Sequence, residues 1–187
     1  MSNATDTSDA VTSNATDMTD ASDAMTSSAT DPADAVMTSE TGLRIEHSFD
    51  ASPDEVFDAW TSPEVLKRWW AVHPDGSTPV AEVDLRVGGR YRLSMEGPDG
   101  ERHTVAGVYR EVKRPSRLAY TWQWELDSGE PGHVSSVTVE FLQRGDHTDV
   151  VLEHTGLPDA ESRDRHAQGW SACLDIFRTR GFGGQAA

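Results

Sequence analysis

Between residues 80 and 154 the chain offers six strand-like segments and no helical periodicity: 80–85 (VAEVDL), 90–95 (RYRLSM), 103–112 (HTVAGVYREV), 118–126 (LAYTWQWEL), 134–141 (VSSVTVEF) and 148–154 (TDVVLEH). Each is rich in β-branched or aromatic residues and is set off by Gly, Pro or Asp, the residues that turn a chain. The connections are too short for crossovers, so consecutive strands must run antiparallel, as a meander. Gly88-Gly89 signals one hairpin, and Gly97-Pro98-Asp99-Gly100 the next turn.

The flanks complete the pattern. Residues 43–49 (LRIEHSF) alternate as a strand. Ser52-Pro53-Asp54-Glu55 then forms a capping box with proline at the first helical position, and Ser62-Pro63 repeats the Ser-Pro start. These signals predict helices over 53–60 and 63–70. Pro158-Asp159 opens a long helix over 159–180. The order is β-α-α-β6-α, an α+β fold in which one long helix has a single broad sheet to cover.

Alternation assigns one sheet face to the interior. Tyr91, Leu93 and Met95, then Tyr120, Trp122 and Trp124, then Val137, Val139 and Phe141, then Val150, Leu152 and His154 fall in phase. Arg90, Arg92, Thr121, Gln123, Thr138 and Glu140 fall on the other face. Over 103–112 the phase is ambiguous. In the last helix Trp170, Cys173, Leu174 and Phe177 form an apolar stripe, with His166 on the same side. Gly169 sits inside that helix, where glycine costs about 1 kcal/mol relative to alanine. The expectation is that Gly169 lets the helix backbone approach the sheet closely.

Residues 1–40 have another character. They hold eight of the chain's 32 acidic residues, none of its 16 Lys and Arg, no aromatic, and a duplicated SNATD at 2–6 and 13–17. So little apolar surface predicts a disordered acidic tail, with one folded domain over 41–187. The tail lacks the basic start and apolar run of a signal peptide, and no stretch is long and apolar enough for a membrane span. A cytoplasmic location is the expectation. A net charge of −16 argues against nucleic acid as a partner. Cys173 is the lone cysteine, so neither an intrachain disulfide nor a cysteine-rich metal site is expected.

The ordered set SPDEVFDAWTSPEVLKRWW, VDLRVGGRYRLSMEGPDG, GVYREVKRPSRLAYTWQW, VTVEF, TDVVLEHTGLPD and HAQGWSACL resembles the START-like (SRPBCC, helix-grip) superfamily. Within it, the chain is similar to bacterial proteins related to the C-terminal domain of the activator of the heat-shock-protein-90 ATPase. The resemblance covers about residues 43–180. It implies a curved antiparallel sheet gripping a long C-terminal helix, often with a cavity between them. Members bind lipids, hormones, polyketides or pigments, and a few are cyclases or hydrolases.

Trp69, Trp70, Tyr91, Tyr120, Trp122, Trp124 and Trp170 are either plain core or the lining of such a cavity. Leu93, Met95, Val139, Phe141, Leu152, Cys173 and Phe177 complete the candidate lining. His154 and His166 converge on one end of the sheet–helix junction. They are either structural hydrogen-bonding groups or a polar patch able to bind a carbonyl or carboxylate, or to act as acid and base. Two candidate ligands are too few for zinc. Neither a nucleophile motif nor a phosphate loop occurs, and no cofactor is expected. The leading reading is binding of a small, partly apolar molecule beneath the last helix. The alternatives are a chaperone-directed interaction module and a cavity enzyme using His154 and His166.

Overall fold

The computed structural model describes residues 26–31, 34–40, 42–126, 128 and 131–182. Its strands are β1 (Thr26–Asp31), β2 (Asp34–Thr38), β3 (Gly42–Phe49), β4 (Ser77–Val83), β5 (Arg90–Glu96), β6 (Arg102–Lys113), β7 (Arg117–Glu125), β8 (Pro131–Arg144) and β9 (His147–Thr155). Helices α1 (Pro53–Thr61) and α2 (Pro63–Trp69) follow β3, and α3 (Ala160–Arg180) closes the described fold. All strands join one antiparallel sheet in the order β1-β2-β3-β9-β8-β7-β6-β5-β4.

The meander forms as its turns predict. The first strand of the domain instead pairs with the last, from Gly42 opposite Thr155 to Phe49 opposite Thr148. The inner-face assignments hold: Tyr91, Leu93, Met95, Tyr120, Trp122, Val137, Val139, Phe141, Val150, Leu152 and His154 are buried, and Trp124 is half-buried. The ambiguous phase of 103–112 has a physical cause. A register shift between Tyr109 and Glu111 opposite β7 carries the inward side from Val105 and Tyr109 to Val112. Gly107 lies between them because nothing larger fits. A Cβ there would stand 1.9 Å from the Thr121 carbonyl oxygen and 2.6 Å from the Tyr91 ring.

The capping box closes as read, with the Ser52 hydroxyl accepting from the Glu55 amide and the Glu55 carboxylate accepting from the Ser52 amide. Ser62 serves both helices: its N–H caps α1 at Asp58, while α2 starts without a side-chain cap. The Trp69 indole N–H donates to the Ala59 carbonyl at 3.0 Å and ties the two helices together.

One expectation is corrected here. Disorder through residue 40 does not hold for residues 26–31 and 34–38, which extend the sheet beyond β3. Composition alone concealed this, because the strand is held from outside itself. Asp34 pairs with buried His47 at 2.9 Å and with Arg178 at the far end of α3. Val36 packs on the core. Arg163 of α3 also donates to the Ser39 carbonyl at 2.7 Å. The rest of the predicted tail, residues 1–25 and 32–33, lies outside the described residues.

Candidate functional site

Around the second half of α3 the aromatic rings are tightly packed. Phe177 lies 4.3 Å from Trp69 and 4.7 Å from Phe49 between ring centroids, and Trp60 meets Phe177 edge-on at 5.6 Å. Toward the first half of α3 the side chains change from Phe to Trp and His, and helix and sheet part around a pocket of about 520 Å³. Its helix wall carries Ser162, Arg165, His166, Gly169, Trp170 and Cys173. Its sheet wall is Met95 of β5, His103 of β6, Trp122, Trp124 and Glu125 of β7, and Leu126 just beyond. Trp70 and Val72, following α2, close a third side. Val72 and Leu126 are 43% and 48% exposed, which places them at an apolar mouth.

Two histidines stiffen one corner. His154 is fully buried on β9, and its ring lies 4.9 Å from that of His166. An indole N–H can only donate. The Trp170 N–H reaches His154 Nδ1 at 3.2 Å, so Nδ1 is the accepting nitrogen and Nε2 carries the proton toward Ser135 Oγ at 2.7 Å. The Trp124 N–H reaches His166 Nε2 at 3.0 Å, so His166 Nδ1 donates to the Ser162 carbonyl at 2.7 Å. The two imidazoles therefore hold opposite tautomers, and all four ring nitrogens are engaged by the protein. Burial pushes the His154 pKa down to about 3, with repulsion from His166 adding to it. Burial lowers His166 too. Both are neutral at pH 7. This is a positioning network that orients two pocket tryptophans, with no ring nitrogen left to shuttle a proton.

Cys173 is equally quiet. Its thiol is pushed up to about 12 by burial and donates to the Ala71 carbonyl at 2.9 Å, so the nucleophilic thiolate is absent near neutrality. Among the described residues no three His, Cys, Asp or Glu side chains cluster as metal ligands.

Of the residues predicted for the lining, Trp70, Met95, Trp122, Trp124, His166, Trp170 and Cys173 meet at the pocket. Tyr91, Leu93 and Tyr120 instead face a separate chamber of about 10 Å³, which Trp70 and Trp122 also border. Trp69, Val139, Phe141, Leu152 and Phe177 are packed core, and His154 stands behind Trp170. Val72, His103, Glu125, Leu126, Ser162, Arg165 and Gly169 were missed. Extending the helical stripe back by one turn from His166 would have found Ser162. The unexplained cost of Gly169 was itself a signal.

The packing role expected for Gly169 is overturned. A Cβ at this position would meet only Val72 Cγ1, at an ordinary 3.8 Å. Gly169 faces the pocket, and the sheet is not within touching distance of it.

A long helix gripped by one curved antiparallel sheet, with a pocket at one end of their junction, defines the START-like, helix-grip class. Within that class residues 50–180 match the family described as Activator of Hsp90 ATPase homolog 1-like protein, and the chain belongs to that family. It is 23% identical over 143 residues to the activator of 90 kDa heat shock protein ATPase homolog 1 of Mus musculus. That match takes in 75% of this chain but only 37% of the mouse protein. Among solved structures, the AHSA1 protein from Silicibacter pomeroyi is 28% identical with a TM-score of 0.66, covering 74% of this chain and 95% of that one. Protein Ms6760 from Mycobacterium smegmatis shares the fold at a TM-score of 0.65 and 22% identity, covering 77% of this chain and 95% of that one.

Proposed function

We propose that this protein binds a small, largely apolar molecule in the pocket beneath the first half of α3, acting in the cytoplasm and without chemistry of its own. The observation that carries this reading is the cavity of about 520 Å³, walled by four tryptophans, in a domain otherwise packed around α3. That volume falls within the roughly 300–1,000 Å³ typical of small-molecule sites. Gly169 supports it, since the helix carries a destabilising residue where only pocket space benefits. The engaged histidines and protonated Cys173 favour binding over catalysis.

The test is equilibrium binding of N-phenyl-1-naphthylamine, a neutral apolar fluorophore. The wild-type protein is expected to bind it saturably at one site, and Gly169→Leu, which fills the mouth, to bind it at least about tenfold more weakly. Unsaturable binding, or equal binding by a folded Gly169→Leu protein, contradicts the reading.

A second reading rests on kinship with the mammalian activators, of whose length this chain spans about a third. It makes the domain a chaperone-binding module. Stimulation of the ATPase of a 90 kDa heat-shock protein from the same host by the purified chain would favour it.

A further inference from the structure

The chain has six tryptophans, and their indole N–H groups differ in their partners. Trp69 is bonded to the Ala59 carbonyl, Trp124 to His166 and Trp170 to His154. Trp70 Nε1 and Trp122 Nε1 have no partner among the described residues. Their side chains border the pocket, their rings lie 5.9 Å apart, and the residues are only 2% and 4% exposed. A buried donor left unpaired is a standing cost, and native structures carry few of them. Two on neighbouring rings at the floor of one cavity are a demand for an acceptor.

The surroundings narrow what that acceptor is. The walls beside it are aromatic, with Trp122 centred 5.4 Å from Trp124 and 5.0 Å from Trp170. The charged groups stand at the rim and are already paired, Arg165 with Glu161 at 3.3 Å and Glu125 with Arg92 at 2.7 Å, and the His103 ring beside them lies 3.4 Å from Glu101. Among the described residues the one Lys or Arg that lines the pocket is Arg165, exposed and paired with Glu161, so a carboxylate seated against the tryptophans would be costly there.

Resting on the pocket reading above, we propose that the ligand is a neutral aromatic compound whose carbonyl oxygen accepts from the indole N–H groups of Trp70 and Trp122. Both nitrogens are buried and unpaired, so an indole has to turn for its N–H to meet a ligand in the pocket. The competing occupant is one trapped water, for which the chamber of about 10 Å³ beside the same two rings has roughly the minimum room.

The test uses a matched set of probes on the full chain: benzophenone, diphenylmethane, which lacks the carbonyl, and diphenylacetate, which adds a charge. Affinities are read by displacement of N-phenyl-1-naphthylamine. Benzophenone is expected to bind about tenfold tighter than diphenylmethane, the size of one to two net neutral hydrogen bonds. Diphenylacetate is expected to bind weakest. Trp70→Phe and Trp122→Phe keep a ring but lose the donor. Each should cut the benzophenone advantage while leaving diphenylmethane unchanged; a variant that fails to fold leaves the wild-type comparison to decide. Equal affinity for benzophenone and diphenylmethane overturns the proposal and leaves the pocket reading standing, the donors then belonging to a fixed water. Tightest binding of diphenylacetate, or a carbonyl advantage that survives both substitutions, also overturns it. If neither the fluorophore nor any probe binds, the pocket reading fails and this proposal with it.

Discussion

The two halves of α3 rest on the same sheet and meet it differently. The C-terminal half brings Phe177 against Phe49, Trp60 and Trp69, with centroids between 4.3 and 5.6 Å. The N-terminal half brings Trp170 and His166 against Trp122 and Trp124 of β7 and His154 of β9, with ring centroids 4.9 to 6.4 Å apart, yet leaves a cavity of about 520 Å³ beside them. Phenylalanine has no polar edge and packs from any side. Trp124, Trp170, His154 and His166 have ring nitrogens joined in one network, so they are held at fixed angles and cannot collapse into a gap. The packed half supplies stability. The open half spends part of it on shape.

The largest effect should come from the packed half. Phe177→Ala is expected to destabilise by roughly 3–5 kcal/mol, since a fully buried ring would leave an unfilled hole. Denaturant unfolding reads this directly. A loss below about 1 kcal/mol would mean that the two halves are equally loose.

Acid should act on the open half. The folded protein holds His154 at a pKa of about 3, below the ordinary 6.5 of an unfolded histidine. Between those values the unfolded chain binds a proton that the folded one refuses, so stability falls as the pH falls. The slope is about 1.4 kcal/mol per pH unit for this one group, giving roughly 2 kcal/mol between pH 6.5 and 5. His166 and His47, both lowered chiefly by burial, add in the same direction. Unfolding curves at the two pH values, repeated with His154→Gln, should show the variant losing about one proton's worth of slope. An unchanged slope would place the histidine network outside the buried corner.

The edge of the sheet offers a smaller contrast. Deleting residues 1–40 removes β2 together with its Asp34 contacts to His47 and Arg178. We expect a loss of about 1–3 kcal/mol, the range for charge-assisted hydrogen bonds and one apolar contact. At this chain length that lowers the thermal midpoint by several degrees. An unshifted midpoint would show that β2 contributes nothing to the domain.

The smallest change carries the opposite sign. Gly169→Ala should stabilise the fold by up to about 1 kcal/mol, because the helix gains propensity and the new methyl meets only Val72. A destabilised variant would restore the close-packing account rejected above.

Much of the fold could be read from the residues because it is encoded locally. Turn residues delimit the meander, Ser52 to Glu55 start α1, and alternation names the inward faces from Tyr91 to His154. What escaped depends on distant partners. β2 exists through Asp34 meeting His47 and Arg178, and nothing within residues 34–38 announces that. The phase of β6 was hidden by the irregularity opposite β7 at Tyr109. Five of the sixteen candidate lining residues are packed core, because Phe141 and Phe177 share their apolar pattern with Trp122 and Trp170. Only the separation of helix from sheet decides which of them meets empty space, and Gly169 was misread for the same reason.

The contrast between the two halves can be tested in one titration. The six indole N–H groups report from both: Trp60 and Trp69 in the packed half, and Trp70, Trp122, Trp124 and Trp170 around the pocket. Two-dimensional ¹H–¹⁵N spectra recorded as benzophenone is added should show the pocket four shifting together along one saturable curve. Trp69 and Trp60, whose rings lie 5.5 Å from Trp70 and 6.2 Å from Trp170, should move least. Shifts of equal size at all six, or none at the pocket four at saturating probe, would contradict a binding site confined to the open half.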